Sequence, residues 1–271
     1  MLTESRDDLT PIELVPNALL AVDVVLFTVR KAPLSEALQV LLIRQRDASG
    51  RERWMLPGVL ITSTETFANA ARRALAEKAG LDSATWYLEQ LATFGEPSRD
   101  SRGRVASIAH LALVRSDALV LRPGTDVHAT EWCPVQRIGE RVLAFDHAEM
   151  IRTGLQRIRS KVRYSWVAFQ LLDDTFTLPE LRAVYAAILD PRLARLSSGN
   201  FKKAMRPLFE TGVIEVVGRV TTGKRGRPSD LYHFVGPLTG TRERELPWKD
   251  PLAPMDNNDA PCEWNRTRGR T

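Results

Sequence analysis

Cysteine is scarce: the 271-residue chain holds only Cys133 and Cys262. Two distant thiols make neither a disulfide framework nor a thiolate metal site, so a small disulfide-stapled or zinc-ribbon protein is excluded. Long apolar runs are missing as well. No stretch reaches the roughly 18 consecutive apolar residues that a membrane helix needs. Residues 1–8 carry Glu4, Asp7 and Asp8 and lack the apolar stretch of a signal peptide. A cytoplasmic protein without a membrane span is expected, with room in its length for two domains.

Basic charge is present, and it is confined. The net charge is +5. Residues 1–150 carry 17 Lys/Arg against 20 Asp/Glu, residues 151–235 carry 15 against 7, and residues 236–271 carry 6 against 6. The excess of +8 in the middle segment points to a phosphate-bearing partner for that segment alone.

Hydrophobic pattern divides the chain in the same way. Residues 22–28 and 38–43 are Val/Ile/Leu-rich and read as buried strands, with further strands at 91–94, 106–114 and 129–133. A helix is expected over 64–79, capped by Ser63 or Thr64 and stopped by Gly80; another over 145–160 starts at Asp146. Glu131 is expected to face a pocket, and His110 to sit in the core or a pocket wall. From Lys161 onward the elements change. An apolar helix around Trp166 to Leu172 precedes one opened by Thr177, Pro179 and Glu180, a capping-box pattern. A third, over 200–211, is capped by Ser197 or Ser198 and bent by Pro207. Strands at 213–220 and 231–234 then flank a basic tip. Three helices and a two-stranded ribbon make a winged helix-turn-helix. Its third helix would offer Asn200, Lys202, Lys203 and Arg206 to DNA, and its wing Lys224, Arg225 and Arg227.

The first-half helix carries a damaged motif. Set against the Nudix box, G-x5-E-x7-R-E-U-x-E-E-x-G-U, the residues Glu65, Arg73, Leu75, Glu77, Gly80 and Leu81 fall in register. Val59, Ala74 and Lys78 replace a glycine and two glutamates. Positions 74, 77 and 78 share a helix face. One carboxylate is left there, and a lysine has been added that opposes a divalent ion yet attracts phosphate. No metal ligands and no catalytic residues are therefore assigned.

This box, the loop Arg99-Asp100-Ser101-Arg102-Gly103-Arg104-Val105 and the basic winged helix together resemble the Nudix-related transcriptional regulators of NAD metabolism, the NrtR family. Phe145-Asp146-His147, Asn200-Phe201 and Arg225-Gly226-Arg227-Pro228 add to the likeness. The resemblance implies an α/β Nudix sandwich, a mixed sheet between helices, followed by a winged helix-turn-helix domain. Expected boundaries are 1–17 for an N-terminal arm, 18–160 for the effector-binding unit, 161–235 for the DNA-binding unit and 236–271 for a mostly disordered tail. It further implies a homodimeric repressor on a palindromic operator, needing no cofactor, that senses ADP-ribose or a related nucleotide. Arg44, Arg53, Glu65, Glu77, Lys78, Arg102 and Arg104 are the candidate effector contacts, because arginine forks suit diphosphate oxygens. Two alternatives stand beside it: a nucleoside-diphosphate hydrolase with ligands recruited from Glu65 or Glu131, and a regulator of another pathway, such as sugar catabolism.

Overall fold

A computed structural model describes residues 18–46, 50–82, 86–115, 120–195, 197–221 and 228–236. The arm at 1–17, the tail beyond Gly236, and Lys224, Arg225 and Arg227 of the wing lie outside the described residues. In chain order the first unit comprises β1 (Leu19–Val29), α1 (Leu34–Ala37), β2 (Leu38–Arg46), β3 (Glu52–Met55), β4 (Gly58–Leu60), α2 (Phe67–Ala79), β5 (Tyr87–Phe94), β6 (Val105–Leu113), β7 (Ala129–Pro134) and α3 (His147–Lys161). The second comprises β8 (Thr175–Phe176), α4 (Leu178–Ile188), α5 (Ser198–Ala204), α6 (Arg206–Glu210), β9 (Ile214–Val220) and β10 (Ser229–Phe234).

The seven strands of the first unit run β3-β2-β1-β6-β5, with β4 on β1 and β7 on β2. β1 and β6 are parallel and the other pairings antiparallel. β1 is apolar along most of its length because both faces are covered. Val22, Val24 and Leu26 share a cluster with Ala70, Ala71, Ala74 and Leu75 of α2. Val25 and Phe27 share the other with Met150, Ile151 and Ile158 of α3. The helices expected at 64–79 and 145–160 are thus the two outer layers of a sandwich.

The start of α2 corrects the expected cap. Thr66, not Ser63 or Thr64, accepts the Asn69 N–H. Glu65 is engaged outside the helix, where its carboxylate accepts the Thr62 N–H at 2.8 Å and the Arg73 guanidinium. Gly80 ends the helix in the left-handed region, φ +67, donating to Ala76 and Leu75. The last carbonyls of α2 are met by the loop before β7: Arg122 donates to Ala79 at 2.8 Å and Gly124 to Lys78 at 3.4 Å.

The second unit departs from expectation in three places. Trp166–Leu171 is a 3-10 helix rather than an α-helix. β8 adds a third strand to the expected ribbon, giving the order β8-β10-β9. Pro207 divides the third helix outright: Met205 closes α5 and Arg206 opens α6, since proline brings no N–H and crowds the carbonyl one turn back. The opening of α4 matches the sequence, with Thr177 and Glu180 in a reciprocal capping box. Thr177→Ala removes the hydroxyl that accepts the Glu180 N–H. It is expected to cost about 1 kcal/mol, read as a Tm lower by roughly 2–4 °C in scanning calorimetry.

The α3-side apolar cluster continues without interruption into the second unit. Arg159 on α3 donates to the Ile188 carbonyl at the end of α4 at 3.1 Å, and Arg115, two residues past β6, meets Asp174 at 2.6 Å. The two units are therefore docked through packed apolar surface rather than hung on a linker. No helix among the described residues is long and apolar enough to cross a membrane.

Candidate ligand pocket and nucleic-acid interface

Above the edge of α2 lies a cavity of about 890 Å³. Its floor is a buried polar network. Asp23 on β1 accepts from the Ser107 hydroxyl at 2.6 Å and lies 3.6 Å from His147 Nε2 and 3.7 Å from Arg99. His147 Nδ1 accepts the Leu56 N–H at 2.9 Å, which places the imidazole proton on Nε2, toward Asp23. Burial, first of all, holds the His147 pKa below its usual value, so the ring is neutral near pH 7. Arg99, itself buried, grips Asp146 with two bonds of 2.9 and 2.7 Å. This pairing takes the Asp146 carboxylate away from the helix cap expected of it. Gly58 packs so closely that a Cβ there would fall 2.0 Å from Asp23 Oδ1, which explains the glycine before Val59.

Of the candidate contacts, Arg53, Lys78 and Arg102 line this cavity. Arg102 is held by Asp100 at 2.7 Å and lies 5.3 Å over the ring of Phe145. Phe145 sits at the rim with φ +53, a left-handed conformation that costs an aromatic residue about 1–2 kcal/mol. Arg44, Glu65, Glu77 and Arg104 are placed elsewhere. Arg44 stacks on Trp54, its cross-strand partner, at 5.6 Å, while its strand neighbour Gln45 faces the cavity. Arg104 donates to the Gly95 carbonyl at 2.6 Å.

Glu65 and Glu77 are both held by Arg73. The guanidinium meets Glu65 with bonds of 3.0 and 2.6 Å, Glu77 at 3.3 Å and the Leu60 carbonyl at 2.8 Å. The Arg73 hydrogen bonds, more than any other influence, lower the Glu65 pKa to about 2. A Nudix fold implies a divalent metal on this helix, and the donor set does not fit one. Ala74 is a buried methyl, both remaining acids are bound to an arginine, and Lys78 pairs with Asp126. Glu131, expected to face a pocket, is bound to Arg141 at 2.6 Å and does not line this cavity. Among the described residues no group of three or more His, Cys, Asp or Glu could hold a metal. Sequence spacing missed Asp23, Gln45, Asp126 and Phe145, which loops and neighbouring strands bring in from far along the chain. His110 is buried with its ring nitrogen 3.1 Å from the Ile108 carbonyl, as expected of a core residue.

In the second unit Phe201, Met205 and Leu208 are buried, and Asn200, Lys202, Lys203 and Arg206 point to solvent. Arg206 pairs with Glu210 at 2.6 Å. Asp230 on β10 draws in Arg219 at 3.1 Å and Lys202 at 3.7 Å, tying the wing to α5. Arg219, exposed on β9, is a basic wing residue that the sequence pattern did not single out.

A Nudix-fold sandwich with a winged helix docked on it defines a class: DNA-binding regulators built on a hydrolase scaffold. The comparisons narrow the class. Residues 19–154 match the NUDIX domain, and residues 168–234 match the NrtR DNA-binding winged helix domain. An "ADPR responsive transcriptional repressor NtrR" of Acinetobacter baylyi is 32% identical over 221 residues, which is 81% of this chain and 83% of that protein. The crystal structure of Shewanella oneidensis NrtR complexed with a 27mer DNA is similar at TM-score 0.63 and 31% identity, covering 79% of this chain and 93% of that one. A MutT/nudix family protein from Enterococcus faecalis is similar at TM-score 0.66 and 26% identity, covering 83% and 89%. The chain belongs to the NrtR family of Nudix-related transcriptional regulators.

Proposed function

We propose that this chain is a repressor that binds operator DNA through its winged helix and releases it when ADP-ribose, or a related NAD-derived nucleotide, enters the Nudix pocket without being hydrolysed. One observation carries the reading: Arg73 already binds both surviving acids of the box, and a lysine stands at the position of the last one. The pocket keeps groups suited to a nucleoside diphosphate. Arg53, Lys78 and Arg102 line the cavity and would meet phosphate oxygens, and the partly exposed Phe145 ring would offer a stacking surface for a base.

Two copies on a palindromic operator would set their reading helices about 34–36 Å apart. A ligand favouring another spacing by roughly 3 kcal/mol lowers operator affinity more than a hundredfold. The apolar junction of the two units is the route by which pocket and reading helix would share one equilibrium. No cofactor is needed for this, and we take residues 18–160 as the effector-binding unit and 161–235 as the DNA-binding unit, a division that falls at the last residue of α3.

Fluorescence anisotropy of the full chain on DNA from its own promoter tests the reading. Sequence-specific binding at moderate salt, weakened by ADP-ribose, is expected. No specific binding in either condition overturns it, and binding that ignores ADP-ribose assigns the scaffold to another pathway. Incubation with ADP-ribose and magnesium or manganese should release no AMP. Turnover that Glu77→Gln abolishes would establish the hydrolase instead.

A further inference from the structure

Lys78 and Asp126 form a short ion pair on the wall of the ligand cavity. Both partners are placed by structure around them. Lys78 is in the last turn of α2, whose carbonyls at Lys78 and Ala79 take the backbone N–H groups of Gly124 and Arg122. A Cβ at Gly124 would fall 1.9 Å from the Glu77 carbonyl oxygen, so only glycine lets the loop approach this closely. Asp126 is steadied by Gln45 Nε2 at 2.7 Å. Burial is the largest single influence on the Asp126 carboxyl and works to raise it, but the Lys78 hydrogen bond and charge, with the smaller help of its own backbone N–H and Gln45, together outweigh burial and hold the carboxyl below its usual range.

The two partners differ in freedom. The Lys78 side chain is only 14% exposed and is fixed on the helix, whereas Asp126 is 54% exposed and lies on a loop. Solvent can take up the carboxylate at little cost, but the ammonium stays facing the cavity. A ligand diphosphate carries more negative charge and more acceptor oxygens than one carboxylate, so it competes well for the same cation.

We propose that Lys78 acts as a tethered cation in place of a divalent metal, and that Asp126 is an internal stand-in for phosphate, displaced when a nucleoside diphosphate binds. This rests on the function proposed above and adds two claims to it: binding needs no metal, and Asp126 opposes it. The metal disagreement is thus a substitution. One fixed positive charge replaces ions that the donor set of α2 does not fit.

Isothermal titration of the full chain with ADP-ribose, and separately with inorganic pyrophosphate, tests it in EDTA and in magnesium. Affinity for ADP-ribose should be unchanged between the two buffers. Lys78→Met should weaken binding about tenfold, the loss of a charge-assisted hydrogen bond, with Lys78→Arg recovering most of it. Asp126→Asn should tighten binding about threefold, the worth of an exposed ion pair. Operator binding by each variant without ligand reports that it is folded. ADP-ribose binding that requires magnesium overturns the inference and leaves the proposed function standing. So does a Lys78→Met variant, folded by the operator test, that binds as wild type, or an Asp126→Asn variant that binds no tighter. Pyrophosphate that binds through Lys78 without metal while ADP-ribose does not would keep the tethered cation and remove ADP-ribose as effector. Failure of both probes in both buffers removes the two proposals together.

Discussion

Replacing Lys202 and Lys203 together by alanine is expected to nearly abolish operator binding at moderate salt. Both side chains are exposed in the last turn of α5, the helix that faces DNA in a winged helix-turn-helix. Each phosphate neutralised by a lysine releases condensed counterions and steepens the dependence of log K on log salt by about 0.9. If both lysines meet phosphate, a single bound copy loses about 1.8 from that slope and a symmetric pair about 3.6. The size of the drop therefore reports stoichiometry as well as contact. At about 0.2 M salt the symmetric case weakens binding by a factor on the order of a hundred or more. Unfolding is a poor alternative cause, because exposed substitutions of this kind change stability by only about 0.5 kcal/mol. A salt titration of anisotropy decides it, and an unaltered slope and affinity would move the reading surface off α5.

Asp230 makes the two lysines unequal. It lies 3.7 Å from Lys202 and has no ion pair with Lys203. Lys202 must give up part of this attraction to reach phosphate. Lys203→Ala is therefore expected to lose more affinity than Lys202→Ala.

The elements were legible wherever local chemistry acts alone. The central strands β1, β2 and β6 announced themselves by their apolar runs, since a strand covered on both faces has no polar side to interrupt it, whereas the short β3 and β4 carry no such run and were not read as strands from the sequence. The capping box at Thr177 and the left-handed Gly80 are contacts between near neighbours, so spacing specifies them. Errors came where a distant partner intervened. Glu65 lies outside α2 because Arg73 and the Thr62 N–H hold it there. Asp146 occupies the cap position of α3 but gives its carboxylate to Arg99, from a loop 47 residues away. The pocket was legible only in part for the same reason. Lys78 was visible as a departure from the box, but its partner Asp126 carries no motif and reaches it only because the loop folds over the end of α2. Arg44 looked equivalent to Arg53 in sequence, until pairing with Trp54 turned it out of the cavity.

Arg99→Ala is expected to be the most damaging single change beneath the pocket, and its cost should depend on pH. The Arg99 side chain is 3% exposed, bound to Asp146 and close to Asp23, so its removal leaves a buried carboxylate facing a neutral imidazole. Breaking a buried ion pair by deleting one partner costs about 3–5 kcal/mol, a Tm lower by about 10 °C in a protein of this size. The pH dependence follows from His147. Burial first, and then the charge of Arg99, lower its pKa from the usual 6.5, while Asp23 raises it. In the wild type the unfolded chain therefore binds the proton more readily. Stability from this group is present above pH 6.5 and is lost as pH falls toward the folded value. Without Arg99 the repulsion disappears and the Asp23 charge remains, so the His147 pKa moves up and protonation creates an ion pair beside Asp23. The variant should then lose less stability than the wild type between pH 7.5 and 5.5. The gap between the two proteins narrows by at most about 1.4 kcal/mol per pH unit, the limit for one proton. His110, also lowered chiefly by burial, contributes to both proteins alike and cancels in the difference. Urea unfolding at the two pH values measures the gap. A gap that stays constant or widens on acidification would show that Arg99 does not set the protonation of the pocket floor.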